Sequence, residues 1–244
     1  MDWSKSKNIL IIALLITNVL LLCFYVAGQL RQGAEDDQIM EETLALLEAR
    51  NIYLETEVPQ VQERMAVLNV EYHQVDEERL EAALESQRAL PAGEQTEEAI
   101  LDACNAFADS LGLLTETTEL ESVVEEGDAV VVRYRNVYEG IPVEESYMVC
   151  TFRNGRVEEL ERQWLLPTGT GKNKREVLSA WAALIDFMSG TEGEEPIRVE
   201  GMELVYWLDP STVSADSPVS DTAFPAWKII YNGGLSDHVT AYRQ

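Results

Sequence analysis

The residues of this chain that could do chemistry are few and far apart. Past the N-terminal apolar run there are two cysteines, Cys104 and Cys150, and the whole chain has two histidines, His73 and His238. The cysteines fit one disulfide or two buried free thiols. There is no CxxC pair and no Cys/His cluster, so a structural zinc site is not expected. No Ser/His/Asp or Cys/His context suggests a nucleophile with its base. Carboxylate pairs for acid hydrolysis arise by chance among 44 acidic residues and single out nothing. Glu125-Glu126-Gly127-Asp128 and Glu192-Gly193-Glu194-Glu195 look calcium-friendly but lack the alternating Asp/Asn spacing of a calcium loop, and read as loops. Pro167–Lys172 (PTGTGK) resembles a phosphate loop faintly, but Asn173 follows the lysine where Ser or Thr is required. The chemistry therefore points away from catalysis: no enzyme, no cofactor and no metal is expected.

Charge narrows the partners. Against the 44 acidic residues stand 18 Lys and Arg, a formal net charge of −26. Nucleic acid and anionic lipid headgroups would repel such a chain. The acidity by itself implies a solvated surface, not a specific cationic ligand.

The longest apolar run, Ile9–Ala27, has 19 residues without charge. As a helix it would reach about 28 Å, close to the roughly 30 Å of a bilayer core. It exceeds an ordinary secretory apolar segment, and Val26-Ala27-Gly28 is a weak cleavage sequence. An uncleaved single-pass transmembrane helix over 9–28 is expected. Lys5 and Lys7 before it and Glu35, Asp36 and Asp37 after it put residues 1–8 in the cytoplasm as a stub and the C-terminal part outside the cell membrane. Trp3 would sit at the membrane interface. Thr17 and Asn18 lie mid-run. There an amide needs a partner, so they are either candidate partner contacts in the membrane or groups bonded back to their own helix.

The remainder must fold outside. Residues 35–50 carry a helical apolar stripe stopped by Asn51. Ile52–Val58 and Met65–Val75 read as strands. Asp76 would cap a helix running to Leu90, and Thr96 one running to Gly112. Ala129–Tyr138, Ile141–Phe152 and Val157–Leu165 form a meander, with a tight turn at Asn154-Gly155. In its second strand Val143, Tyr147 and Val149 alternate against Met148, Cys150 and Phe152. Asn173 with Glu176 reads as a capping box for a helix Lys174–Met188. Val199–Leu208 is a strand, 209–225 a loop, and Lys228–Tyr231 and His238–Tyr242 a final hairpin about Asn232-Gly233-Gly234. The fold class expected is α+β: a transmembrane helix followed by antiparallel sheet units with packed helices. Residues 29–93 would form a juxtamembrane helix and a first α+β segment, and 94–244 the main extracytoplasmic domain.

The opening MDWSKSKNILIIALLITNVLLL, residues 1–22, resembles the start of YycI-type regulators of the YycG (WalK) sensor histidine kinase, in the YycH/YycI family. VYEGIPVEESYMVCTFRNGRVEELERQWL, residues 137–165, is similar to that family's hairpin pair and to PepSY-type modules. The segments IRVEGMELVYW, FPAWKIIYNGG and HVTAY resemble its C-terminal strands. The resemblance implies a non-enzymatic, membrane-anchored regulator of a cell-wall two-component system. Its implied partners are the sensor kinase and a YycH-like protein, contacted through the transmembrane helix and the extracytoplasmic domain. The alternative is a PepSY-like protease-inhibitory or ligand-binding module.

Overall fold

The structure, a computed structural model, describes residues 17–18, 40–61, 63–191, 195–208 and 220–242. The elements in chain order are helix α1 (40–48), strands β1 (Ile52–Leu54), β2 (Arg64–Met65) and β3 (Leu68–Tyr72), helix α2 (Glu77–Ser86), a 3-10 turn Ala92–Glu94, helix α3 (Glu97–Ser110), strands β4 (Thr118–Glu126), β5 (Ala129–Tyr138), β6 (Ile141–Arg153), β7 (Arg156–Gln163), β8 (Leu165–Thr170) and β9 (Arg175–Glu176), helix α4 (Ala180–Gly190), and strands β10 (Ile197–Trp207), β11 (Ser220–Tyr231) and β12 (Leu235–Thr240). Met1–Tyr53 with Met188–Ile197 forms one compact unit, and Leu54–Phe187 with Arg198–Gln244 the other.

The transmembrane helix in the expected fold class is corrected. Among the described residues no helix is long and apolar enough to cross a membrane. The longest complete one, α3, has 14 residues with acids at Glu97, Glu98, Asp102 and Asp109, and a span needs about 20 apolar residues. Of the run 9–28 only Thr17 and Asn18 are described; the rest lies outside the described residues. What the chain builds is a mostly-sheet α+β fold.

In the smaller unit Asn51 ends α1 in the left-handed region at φ 60°, as its sequence suggests. Its carbonyl accepts from Ile197 N–H at 2.9 Å.

In the larger unit the strand order is β4-β5-β6-β10-β11-β3-β8, with β7 beside β6 and β12 beside β11. The antiparallel meander β4–β7 packs its inner face (Val132, Tyr134, Met148, Cys150, Phe152, Val157) under α3, which contributes Ile100, Cys104, Phe107 and Ala108. A second core joins Ala180 and Ala183 of α4 to Leu68, Val70, Leu165, Leu204, Tyr206 and Trp227. The Trp227 indole N–H donates to Leu178 O at 2.8 Å, so this large buried ring keeps a polar partner.

The two cores meet at an irregularity in β6. Arg135 pairs with Tyr147, but the next residue of β5, Asn136, pairs with Val143. Glu144, Glu145 and Ser146 are therefore extruded, with Glu145 at φ 59°. Strict alternation would put Val143 on the same face as Tyr147. The bulge reverses this: Val143 is buried in the second core while Tyr147 lies on the open face. Asn136, itself fully buried, donates from Nδ2 to Ser146 Oγ at 3.0 Å and to Leu165 O at 2.6 Å, and Leu165 N–H donates to Ser146 Oγ at 2.9 Å. One buried knot so ties β5, β6 and β8. Beyond it, β6 touches β10 in parallel at Val143 and Tyr206, and Tyr138 meets Tyr206 edge-on.

Other expectations shift for identifiable reasons. Asp76 and Thr96 cap α2 and α3, accepting from Arg79 N–H and Ala99 N–H. But α2 stops at Ser86, because the Gln87 side chain grips β7: Nε2 donates to Val157 O at 2.9 Å and Oε1 accepts from Val157 N–H at 3.0 Å. The capping box at Asn173 and Glu176 does not form. Arg175–Glu176 is the strand β9 against Arg64–Met65, and Val177 and Leu178 N–H are drawn to Glu63 O and Ala241 O. The helix starts only at Ala180, with Ser179 Oγ accepting from Ala182 N–H. Pro167–Lys172, expected as a linker, gives its residues 167–170 to β8; 220–225, expected as loop, begin β11; and Met65–Val75 splits into β2 and β3.

The Asn154-Gly155 turn adopts positive φ at both residues, 53° and 82°. A Cβ on Gly155 would stand 2.4 Å from Leu90 O, whereas one on Gly140, also at φ 82°, would meet nothing within 4 Å. Gly140→Ala is expected to cost about 1 kcal/mol of left-handed backbone strain, and Gly155→Ala clearly more, because Leu90 must also move. Denaturant melts of the two variants check this. Equal losses would mean that the turn does not dock on Leu90.

Candidate functional site: the open face of the sheet

Alternation along the strands leaves one face of the larger sheet without a helix. In the meander it carries Arg133 and Arg135 of β5, Tyr147 and Val149 of β6, and Glu161 and Gln163 of β7, each half-buried or exposed. The charges interlock. Arg133 Nε donates to Glu121 at 2.8 Å and its guanidinium lies 4.6 Å over the Tyr147 ring, while the Tyr147 hydroxyl donates to Glu161 at 2.6 Å. That bond is the main reason the Tyr147 pKa is raised. Arg135 reaches Glu119 at 3.6 Å on one side and Glu203 of β10 at 3.3 Å on the other. The ladder thus runs from the meander onto the second group of strands.

There the register places Glu203, Lys228 and His238 side by side across β10, β11 and β12. The extruded Glu144 lies over them. Lys228 Nζ donates to Glu144 Oε1 at 2.6 Å, and the side chains are only 24% and 17% exposed. His238 Nε2 is 3.9 Å from the same oxygen, and the imidazole stacks on Trp207 with centroids 5.0 Å apart and planes 4° from parallel. Burial lowers the His238 pKa; Glu144 pulls it up but Lys228 pushes it down again. The balance disfavours the protonated imidazole. The arrangement sets a partly desolvated ion pair and two stacked rings among alternating charges.

A second cluster lies by His73. Arg162 Nη1 contacts His73 Nδ1 at 2.9 Å and donates to His73 O at 3.0 Å, with its guanidinium 5.0 Å from the Trp164 ring. Burial lowers its pKa to about 10, and burial followed by Arg162 lowers that of His73. His73 also lines a cavity of about 330 Å³ with Asp76, Arg79 and Gly112.

Of the residues singled out by the sequence, Thr17 and Asn18 have helical backbone and are exposed; Trp3, Lys5 and Lys7 lie outside the described residues. Cys104 and Cys150 are both free and buried in the core beneath α3. The Cys104 thiol beside it, and then burial, push the Cys150 pKa up, away from a reactive thiolate. The two histidines fall in separate clusters. Among the described residues no group of three or more His, Cys, Asp or Glu could hold a metal. Sequence reasoning missed Glu144, Lys228 and Trp207, since only the bulge and the register bring them together. The chain matches no protein-family model and no curated protein.

Lys228→Met leaves Glu144 largely buried and unpaired. We expect a loss of about 2 kcal/mol, below the 3–5 kcal/mol of a fully buried pair, and expect Glu144→Gln in the same molecule to recover part of it. A double-mutant cycle without coupling would remove the pair from the site. Titration of His238 gives an independent check. The unfolded chain binds its proton near pH 6.5 while the folded chain resists it. Stability is therefore full above that pH and declines as pH falls toward the depressed folded value. Stability curves for His238→Phe, which keeps the aromatic stack, should be shallower between pH 6.5 and 5 than for the parent; identical slopes would contradict the assignment.

Proposed function

We propose that this chain is a non-enzymatic regulator of a cell-wall two-component system. It acts at the extracytoplasmic face of the cell membrane by contact with a sensor histidine kinase of the YycG (WalK) type and with a YycH-like protein. The observation that carries the reading is the open face, where two separately cored groups of strands turn one continuous charge ladder, edged by Tyr147 and Trp207, toward solvent. Such a face suits protein contact. Aromatic rings with paired charges give register and partner selection without a reaction centre. The sequence resemblance at residues 1–22 and 137–165 supplies the identity of the partners.

The full-length chain, tagged and recovered from membranes of its own cells after mild crosslinking, is expected to bring the kinase and the YycH-like protein with it. Arg133→Glu combined with Glu161→Lys should reduce recovery of at least one partner about tenfold, or about 1.4 kcal/mol, with little change in thermal midpoint, because exposed ion pairs contribute little stability. Wild-type chain that recovers neither partner would sink the reading. Undiminished recovery by the double variant would move recognition off this face.

A further inference from the structure

We infer that the outer edge of β4 is a docking site for an extended segment of another protein, which adds to the sheet as a strand and carries apolar residues with Lys or Arg at the end facing Glu125 and Glu126. The inference goes beyond the kinase reading and does not depend on it.

The chain meets its other sheet edges with bonds from neighbouring segments. The Gln87 amide meets β7 at one residue, bonding to both polar groups of Val157. At β8, Leu165 is taken at both its N–H and its carbonyl by Ser146 and Asn136. Just past β12, Ala241 O accepts from Leu178 N–H. Each of these strands, like β4, pairs with one neighbour; β4 is the longest of them, with nine residues beside β5 alone among the described residues, and is met locally at its start, where Thr118 N–H donates to Thr115 O. An edge of that length presents a row of unused backbone donors and acceptors, which proteins normally cover or blunt.

The side chains of β4 say what would fit. Leu120 and Val124 are 45% and 47% exposed, among the most exposed large apolar residues described. Leu120 pairs with Tyr134 and Val124 with Val131, so one lies on the helix-covered face and the other on the open face. A strand laid alongside would cover both. Glu119 and Glu121 are already neutralised by Arg135 and Arg133. Glu125 and Glu126 are exposed at the β4–β5 turn and take part in no ion pair among the described residues. A second copy of β4 is a poor occupant, since two such edges would set glutamates against glutamates. A strand with basic residues at that end gains attraction where the copy meets repulsion, and main-chain pairing supplies the affinity.

The test uses the full-length chain and two synthetic nine-residue peptides of alternating Val and Thr, one ending in two lysines and the other in two glutamates. Amide hydrogen exchange is read along the sheet. The lysine peptide should slow exchange at the outward-facing amides of β4 and bind at least tenfold more weakly to Leu120→Lys/Val124→Lys. Its binding should weaken with added salt, and Glu125→Lys/Glu126→Lys should exchange the preference to the glutamate peptide. Protection confined to other strands, equal binding of both peptides, or no protection at millimolar peptide would each overturn the proposal. So would a Val124→Cys variant that crosslinks to its own copy through the introduced thiol, because the occupant would then be a second chain.

Discussion

The buried knot of Asn136, Ser146 and Leu165 is the constraint on which the rest of the larger unit hangs. A β-strand has a period of two, so one bulge changes which side chains face the core from that point on. Ser146 points inward and is consumed by the knot, while Glu144, two residues earlier in the same bulge, points out and meets Lys228. Without the extrusion Val143 would lie with Tyr147 on the open face, and the second core would lose a buried residue. The polar groups of the knot are costly to bury unpaired and contribute only about 1 kcal/mol each when paired. Their main effect is therefore on specificity: they admit one register of β6 and penalise its neighbours.

The bulge also explains why one face can hold a charge ladder across strands that belong to two cores. Arg135 stands at the last regular pair of the meander, next to the break, and from there reaches Glu203 of β10. Exposed pairs of this kind contribute about 0–1 kcal/mol apiece. The ladder is consequently weak as a source of stability. The Lys228–Glu144 pair differs because both groups are three-quarters buried or more, with His238 and Trp207 beside them.

Charge also frames the edge of the sheet. A chain at −26 repels copies of itself, and the glutamates of β4 bring that repulsion to the strand most open to pairing. The same residues that guard against self-association favour a basic strand, so protection and selectivity have one physical origin.

Much of the local structure was legible in the residues themselves. Asp76 and Thr96 announced helix starts, Asn51 and Gly112 helix stops, and Asn154-Gly155 a hairpin, because caps and left-handed turns depend on a few neighbouring atoms. The β6 alternation of Tyr147 and Val149 against Met148, Cys150 and Phe152 likewise holds, while Val143, before the bulge, departs from it. The strand β4 went unread because most of its side chains carry charge or hydroxyls suited to solvent, and an edge strand buries little. Likewise β8 looked like a linker, and 175–178 like a helix, until distant backbone partners claimed their hydrogen bonds. No local pattern could bring Glu144, Lys228, His238 and Trp207 together. Their meeting needs three strand registers and one bulge to agree, and that agreement is decided by the burial of the two cores: composition determined the acidity and the turns, while tertiary packing alone decided which charges face one another.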